Sequence, residues 1–218
     1  MIPDQKPVWE RKHAAHEHEN LRHLPSPLAE LIEPKLPPHS NILELGCGVG
    51  RDAVFFTSKG HDVIATDSSE TVIKQDQEHF PDTGVEFGVL DMREPLPYKS
   101  ETFDVIYSNL ALHYYSHKQT REIVEEIAGK LKSNGLLVFA CKSVDDFHHG
   151  NGMEVEKNIF VSKSGHVRHL FSITYTKQLL EGLYDIDLLD VIEEEYNGKK
   201  SNLVRCIASK TDQNRSKL

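Results

Sequence analysis

Three glycines at alternate positions dominate the chemistry that this sequence could perform. The stretch Asn41–Ala53 reads N-I-L-E-L-G-C-G-V-G-R-D-A, an apolar run followed by Gly46, Gly48 and Gly50. Glycine has no Cβ and tolerates positive φ, so the backbone N–H groups of such a loop can approach a ligand closely at a helix N-terminus. The stretch therefore predicts a strand, a tight loop and a helix start that together bind a nucleotide-like molecule.

The spacing of these glycines discriminates between cofactors. A dinucleotide-binding G-x-G-x-x-G counted from Gly46 requires a third glycine at the position of Arg51. The order is instead Glu44-x-Gly46-x-Gly48-x-Gly50. It resembles the first motif of the class I S-adenosylmethionine-dependent methyltransferases, an acidic residue followed by G-x-G-x-G. The resemblance implies S-adenosylmethionine as the cofactor, and a purely structural turn is the alternative.

Two acidic residues follow at the ends of predicted strands. Asp67 ends the strand 62–67 and lies 17 residues beyond Gly50, close to the ~20 expected of a carboxylate that accepts hydrogen bonds from ribose hydroxyls. A helix cap is the alternative role. Asp91 ends the predicted strand 85–91. In the family that the chain resembles, an acid there binds the adenine amino group and the next backbone N–H, here of Met92, reaches a ring nitrogen; a turn cap is the alternative.

Asn109 ends a near-continuous apolar strand, 103–109, which suits a buried parallel strand opening onto the ligand crevice. The resemblance places the reactive methyl group beside it. Base-amine methyltransferases often carry Asn or Asp-Pro-Pro-Tyr here, whereas this chain continues Leu-Ala-Leu, which favours a small-molecule acceptor. The full set of cofactor contacts that the resemblance implies is Glu44, Gly46, Cys47, Gly48, Gly50, Arg51, Asp67, Ser68, Asp91, Met92 and Asn109.

Methyl transfer from a sulfonium is an in-line displacement in which positioning matters most. A general base is required only when the acceptor must lose a proton before it attacks. The candidate catalytic residues for that step are His113, Tyr114 and His169. A thiolate or selenium acceptor would need none of them.

Strands and helices alternate along the chain in the order needed to position these residues. The predicted fold class is α/β: a doubly wound, seven-stranded, mostly parallel sheet of the Rossmann-like methyltransferase type, ending in an antiparallel C-terminal hairpin at Asn197-Gly198. We predict a single methyltransferase domain, 1–218, with an N-terminal helical cover over 1–40. The stretch 143–172 reads as a long irregular insertion over the substrate site.

Two polar regions outside the sheet could contribute to the site. Trp9 is predicted either near the pocket or as a packing anchor, and Arg168 and His169 either face the pocket from its rim or form a solvated turn. Four histidines in the N-terminal segment could suggest a metal site, but the sequence shows no convergent set of ligands around them. We therefore predict a solvated polar face and no metal site; these residues are His13, His16, His18 and His23.

Composition limits the classes of partner. The net charge of −9 over 218 residues opposes affinity for phosphate backbones, so no nucleic acid partner is expected. No apolar run approaches a membrane span, and the N-terminus lacks the pattern of a secretory signal, which predicts a cytoplasmic protein. The three cysteines have no C-x-x-C spacing and are predicted to be buried thiols.

The expected partner is thus a small-molecule methyl acceptor, and the sequence leaves the oligomeric state open. The runs Gly50–Phe56 and His166–Ser172 look most like the group that includes thiopurine and tellurite methyltransferases. Two alternatives are a non-catalytic module that binds S-adenosylmethionine and a nicotinamide-dependent oxidoreductase on a similar sheet.

Overall fold

A computed structural model of the protein describes residues 2–196 and 199–212. Ten strands and six helices of the described residues position the site. The strands are β1 Asn41–Leu45, β2 Asp62–Asp67, β3 Glu86–Val89, β4 Phe103–Asn109, β5 Leu131–Lys142, β6 Met153–Glu156, β7 Ile159–Val161, β8 Val167–His169, β9 Tyr184–Tyr196 and β10 Lys199–Lys210. The helices are α1 Lys6–Ala14, α2 Pro27–Ile32, α3 Arg51–Ser58, α4 Glu70–His79, α5 His117–Lys130 and α6 Ile173–Leu180.

Seven of these strands form one sheet in the order β3-β2-β1-β4-β5-β10-β9. β1 to β5 run parallel, and β10 is antiparallel to both of its neighbours, β5 and β9. The order reverses between β1 and β4, where the chain crosses from one half of the sheet to the other, and ligands of open α/β sheets bind at such a point. The predicted doubly wound, mostly parallel sheet is confirmed. The predicted turn at Asn197-Gly198 lies outside the described residues.

The sheet is buried on both faces, which explains its continuous apolar strands. Along β4, Val105 and Tyr107 pack into the hydrophobic cluster on one face, and Ile106 packs into the cluster on the other. Since side chains alternate along a strand, both faces need apolar residues. Because both faces are covered, a ligand would contact the sheet through the polar residues at the carboxyl ends of its strands.

Serine caps fix where several helices begin. Ser116 Oγ accepts a hydrogen bond from the Gln119 backbone N–H at 3.1 Å, and Gln119 Oε1 accepts one from Ser116 N at 3.1 Å, a capping box that starts α5. Ser69 caps α4 by accepting from Val72 N, and Ser172 caps α6 by accepting from Tyr175 N. Helix α5 ends at Lys130, and the next residue, Leu131, begins β5.

The insertion 143–172 is not irregular, which corrects the sequence-based expectation. It holds a separate antiparallel sheet in the order β6-β7-β8. Each strand has only three or four residues, too few for a readable alternation of polar and apolar side chains. Backbone hydrogen bonds from Phe171 N to Lys142 O (2.8 Å) and from Val144 N to Phe171 O (2.9 Å) join this small sheet to the main one.

Within the described part of the chain, none of the helices combines the length and the apolar character that crossing a bilayer requires.

Candidate functional site

A cavity of about 450 Å³ lies at the carboxyl ends of the central strands, beneath α1. Its volume falls within the roughly 300–1,000 Å³ of small-molecule and cofactor sites. One wall consists of the glycine loop and the ends of β2 and β4, and the other of residues from α1, the end of β5 and the insertion. The cavity thus joins the predicted cofactor region to the predicted acceptor region.

The glycine loop is held in place by the neighbouring strand. The N–H groups of Gly46 and Cys47 donate to Thr66 O at 2.7 and 2.9 Å, and Gly48 N donates to Asp67 Oδ2 at 3.1 Å. These donors are therefore used within the protein rather than directed at a ligand. A Cβ on Gly46 would lie 2.4 Å from Ala111 Cβ, whereas one on Gly48 would meet no atom within 4 Å. The loop contributes space to the cavity at Gly48.

Asp67 lies at the end of β2 and lines the cavity. Its Oδ1 accepts a hydrogen bond from Ser69 N at 2.9 Å, and its Oδ2 accepts the one from Gly48 N. Burial raises its pKa, and these backbone hydrogen bonds oppose the rise. A carboxylate has about four acceptor positions, so Asp67 is oriented by the protein and keeps capacity for a ligand hydroxyl.

Two further acids on this wall differ in their partners. Glu44 is almost fully buried, and its Oε2 has no hydrogen-bond partner among the described residues. Burial, with the nearby Asp52, raises the Glu44 pKa well above its usual range. Asp91 is paired with Arg93, whose Nε lies 2.9 Å from Oδ1; burial raises the Asp91 pKa, but the hydrogen bonds from Arg93 prevail and lower it.

Helix α1 and the residues before it cover the cavity and are tied to both walls. Lys6 Nζ lies 3.0 Å from Glu70 Oε1, and Asp4 Oδ1 lies 3.0 Å from an Arg93 nitrogen. On the other side the buried Gln5 side chain donates to Gly165 O at 3.0 Å and accepts from Val167 N at 2.9 Å. The N-terminal cover predicted from the sequence is thus fastened to the cofactor wall and to the insertion.

Gln5→Ala should loosen this cover. The variant loses both hydrogen bonds to the insertion and leaves a buried backbone N–H unpaired, so the free energy of unfolding should fall by about 1–2 kcal/mol. Trp9 is the chain's single tryptophan and lines the cavity, so acrylamide quenching of its fluorescence should increase. Gln178→Ala, at an exposed position of α6, is the matched control. Wild-type quenching in the Gln5 variant would contradict the assigned role.

Aromatic and imidazole rings form the side of the cavity predicted to hold the acceptor. The Tyr114 and His166 rings are stacked with centroids 5.2 Å apart, and Trp9 meets them edge-on at 5.1 and 5.6 Å. His13 stacks on the opposite side of Trp9, with centroids 5.5 Å apart. Trp9 therefore lies at the pocket, one of the two roles predicted for it.

The expectation of a solvated histidine face is wrong for His13 and His18. The His13 side chain is only 4% exposed, because α1 turns it inward against Trp9 and His18. His18 is half-buried and lines the cavity, whereas His16 and His23 are exposed as predicted. Burial lowers the His13 pKa to about 4. Glu10 and Glu17 oppose this shift, while Lys12 and Arg22 strengthen it. Among the described residues, no cluster of His, Cys, Asp and Glu could hold a metal ion.

The depressed His13 pKa predicts a loss of stability in acid. The unfolded chain binds this proton near pH 6.5 and the folded chain only near pH 4, so the contribution is present above pH 6.5 and is lost as the pH falls toward 4. Between pH ~7.5 and pH ~5.5, the free energy of unfolding should fall by about 1.4 kcal/mol from this group. In urea unfolding at both pH values, His13→Asn should show a smaller loss than wild type. His23→Asn controls for removal of an exposed imidazole, and an equal loss in both variants would contradict the prediction.

The structure brings most of the predicted site residues together. All of the predicted cofactor residues except Gly50 line the cavity, together with Tyr114. Gly50 lies behind the loop at the N-cap of α3, where a Cβ would lie 3.0 Å from the Phe87 ring. His113 and His169 do not line the cavity: His113 is fully buried, and His169 packs against His117, Tyr175 and Phe171.

Gln5, Lys142 and His166 are among the residues of the cavity wall that did not emerge from sequence reasoning. Lys142 could have been found, because it stands at the carboxyl end of the central strand β5. For Gln5 and His166 the signal lies in contacts between distant parts of the chain, which spacing along the sequence does not reveal.

Comparison with known proteins shows what this chain is similar to. The family model described as "Methyltransferase domain" matches residues 43–139. Phosphoethanolamine N-methyltransferase 1 of Arabidopsis thaliana is 33% identical over 138 residues, which are 59% of this chain and 28% of that protein. An uncharacterized protein of Haemophilus influenzae is 30% identical over 164 residues, 69% of this chain and 64% of its own length. The chain thus spans less than two thirds of these relatives.

A solved structure shares the fold over nearly the whole chain. The 1,6-didemethyltoxoflavin-N1-methyltransferase of Burkholderia thailandensis, determined with 1,6-didemethyltoxoflavin and S-adenosylhomocysteine bound, superposes with a TM-score of 0.73 at 19% identity, covering 94% of this chain and 88% of that one. The sheet, the glycine loop and the acids at the strand ends define a cofactor-binding α/β protein. More specifically, residues 43–139 match the methyltransferase-domain family model, and the fold is shared with solved S-adenosylmethionine-dependent methyltransferases.

Proposed function

We propose that this chain transfers a methyl group from S-adenosylmethionine to a small-molecule acceptor. The observation that carries the proposal is the single covered cavity, which has the glycine loop and Asp67 on one wall and the rings of Trp9, Tyr114 and His166 on the other. A cofactor and an acceptor bound side by side in this space would be shielded from water, which favours displacement between them.

The residues of the first wall fit the cofactor. The open space at Gly48 would accommodate a ligand held against the loop, and Asp67 would accept hydrogen bonds from ribose hydroxyls. The Glu44 carboxyl group, whose Oε2 has no hydrogen-bond partner among the described residues, would attract the cofactor's cationic amino group. We assign the adenine contacts to Asp91 and the Met92 backbone N–H, and place Cys47, Arg51, Ser68 and Asn109 around the rest of the molecule.

The chain's own contribution to catalysis is mainly positioning. When bound, S-adenosylmethionine supplies an electrophilic methyl carbon and a neutral thioether leaving group. The protein has to hold the acceptor atom in line with that carbon and keep water out. Of the three candidate bases, Tyr114 lines the cavity and is the one to which we assign contact with the acceptor. We give no proton-transfer role to His113 or His169, which pack behind the wall.

Several features support a small acceptor. Helix α1 lies over the cavity and is held to both walls, which favours a small molecule over a polymer, and the net charge of −9 disfavours nucleic acid. The narrower resemblance to thiopurine and tellurite methyltransferases makes thiols the first acceptors to test. We also place the protein in the cytoplasm, in keeping with its three free buried cysteines.

Calorimetric titration with S-adenosylmethionine, S-adenosylhomocysteine and NADH tests the cofactor. We expect binding of the first two at micromolar concentrations and none of NADH. A panel of thiols, amines and phenols, followed by mass spectrometry for one added methyl group, then tests turnover. Binding without methylation of any acceptor would favour a non-catalytic cofactor-binding module, and binding of NADH alone would overturn the proposal.

A further inference from the structure

Two cationic side chains lie on the wall of the cavity opposite the proposed cofactor residues. Lys142 is the last residue of β5, and Arg168 is the central residue of β8 in the insertion; both line the cavity. Burial lowers the pKa of the Lys142 ammonium, Asp146 opposes this shift, and the charge of Arg168 lowers the pKa further. The two cations are therefore close enough to repel each other.

One carboxylate, Asp146, stands behind these cations, and its oxygens are already occupied. Oδ1 accepts from His148 Nδ1 at 2.5 Å and from His148 N at 3.0 Å. Oδ2 accepts from Ser201 Oγ at 2.5 Å and from Asn202 N at 3.0 Å. Lys142 donates to Ser201 Oγ and lies 3.8 Å from Asp146 Oδ2. Asp146 thus compensates the charge of Lys142 through a closed network of hydrogen bonds.

Arg168 has no comparable partner. In the ranges 2–196 and 199–212, no carboxylate lies within 4.0 Å of its guanidinium group, which is half-buried. Burial lowers the pKa of Arg168, and the Tyr114 hydroxyl and the Asp146 carboxylate oppose this shift. Glu194 attracts Lys142 from outside the cavity and does not line it. A partly desolvated cation without a counter-charge is unfavourable, and an anionic ligand would relieve it.

His166 adds a second unused polar group to the same wall. Its side chain is 8% exposed, and Nε2 has no hydrogen-bond partner among the described residues. It stands two residues before Arg168 and lines the cavity with it. Depending on the tautomer, Nε2 can donate a hydrogen bond to a group that Arg168 binds or accept one from it.

We propose that the methyl acceptor carries a carboxylate or phosphate group, which binds to Arg168 and Lys142 with a hydrogen bond from His166. This inference rests on the proposed function, since it names the class of acceptor. Arginine's planar fork of N–H donors matches the paired oxygens of carboxylate and phosphate. The rings of Trp9 and Tyr114 lie beside this site and would contact the apolar body of the acceptor.

Calorimetric titration of the protein with benzoate, phenyl phosphate and neutral benzamide, at constant ionic strength, tests the inference. The titrations are run on the free protein and on the protein saturated with S-adenosylhomocysteine. We expect one of the anions to bind about tenfold or more tightly than benzamide, and the tighter one distinguishes carboxylate from phosphate. Arg168→Gln should remove this preference, and Arg168→Lys should restore part of it.

Arg121→Gln is the matched control, because it removes the same charge from an exposed position of α5. S-adenosylhomocysteine affinity and melting temperature report whether each variant is folded. Equal binding of benzoate, phenyl phosphate and benzamide to the wild type, or an undiminished preference in a folded Arg168→Gln protein, would overturn the inference. If S-adenosylhomocysteine does not bind, the proposed function fails, and the titrations of the free protein still decide this inference.

Discussion

Asp67→Ala is expected to weaken binding of S-adenosylmethionine by about 1–3 kcal/mol, which is roughly 5- to 150-fold in the dissociation constant. The substitution would remove the hydrogen bonds that the carboxylate accepts from the ribose hydroxyls. It would also leave Gly48 N and Ser69 N without the carboxylate that now accepts from them at 3.1 and 2.9 Å, so part of the lost affinity would come from a less rigid glycine loop. Calorimetric titration with the cofactor measures the combined effect.

Two further variants separate these contributions. Asp67→Asn keeps a side-chain oxygen for one backbone N–H but loses the negative charge, so its affinity should fall between those of wild type and Asp67→Ala. Asp62→Ala removes a carboxylate from the exposed start of the same strand and should bind like wild type. Undiminished affinity in a folded Asp67→Ala protein would refute the assignment of this residue to the cofactor.

Local spacing made the cofactor wall predictable. Gly46, Gly48 and Asp67 each follow a short apolar run in the sequence, and the carboxyl ends of parallel strands meet at one edge of a sheet. A few residues therefore fix which side chains converge. The function of the loop was less predictable: its N–H groups bind Thr66 and Asp67, so its contribution to the site is space rather than hydrogen-bond donors.

The acceptor wall could not be predicted in the same way, because it depends on contacts between the N-terminal segment and residues far along the chain. Gln5 and Val167 are 162 residues apart and share a hydrogen bond of 2.9 Å. Trp9 meets Tyr114 and His166, which lie 105 and 157 residues further along the chain. Neither end has a periodic pattern of its own that would indicate this docking, and the three-residue strands of the insertion are too short to be recognised by alternation.

The cover also links the two halves of the site. Glu10 Oε1 in α1 accepts a hydrogen bond from Glu70 N at 2.7 Å, at the N-terminus of the helix that follows Asp67. Two residues of the same N-terminal segment, Asp4 and Gln5, bind Arg93 and the insertion. A displacement of α1 would therefore disturb the cofactor wall and the acceptor wall together, so we expect cofactor binding and acceptor binding to be coupled.

The two glycines of the loop should respond to alanine in opposite ways. At Gly48 the new Cβ would meet no protein atom within 4 Å but would project into the cavity. We expect Gly48→Ala to lose only about 1 kcal/mol of stability, from strain at φ +53, while cofactor affinity falls about 100-fold or more through steric exclusion. Urea unfolding and calorimetric titration of one preparation measure the two effects separately.

Gly46→Ala should instead destabilise the fold. Its Cβ would lie 2.4 Å from Ala111 Cβ, in the turn that follows β4, at φ +77, so overpacking and strain together should cost about 2–4 kcal/mol. Gly129→Ala, at an exposed position of α5 with no atom within 4 Å, should leave binding unchanged and raise stability by about 0.5–1 kcal/mol. If Gly48→Ala binds the cofactor like wild type, the ligand does not lie against this loop, because the added methyl group has no other neighbour.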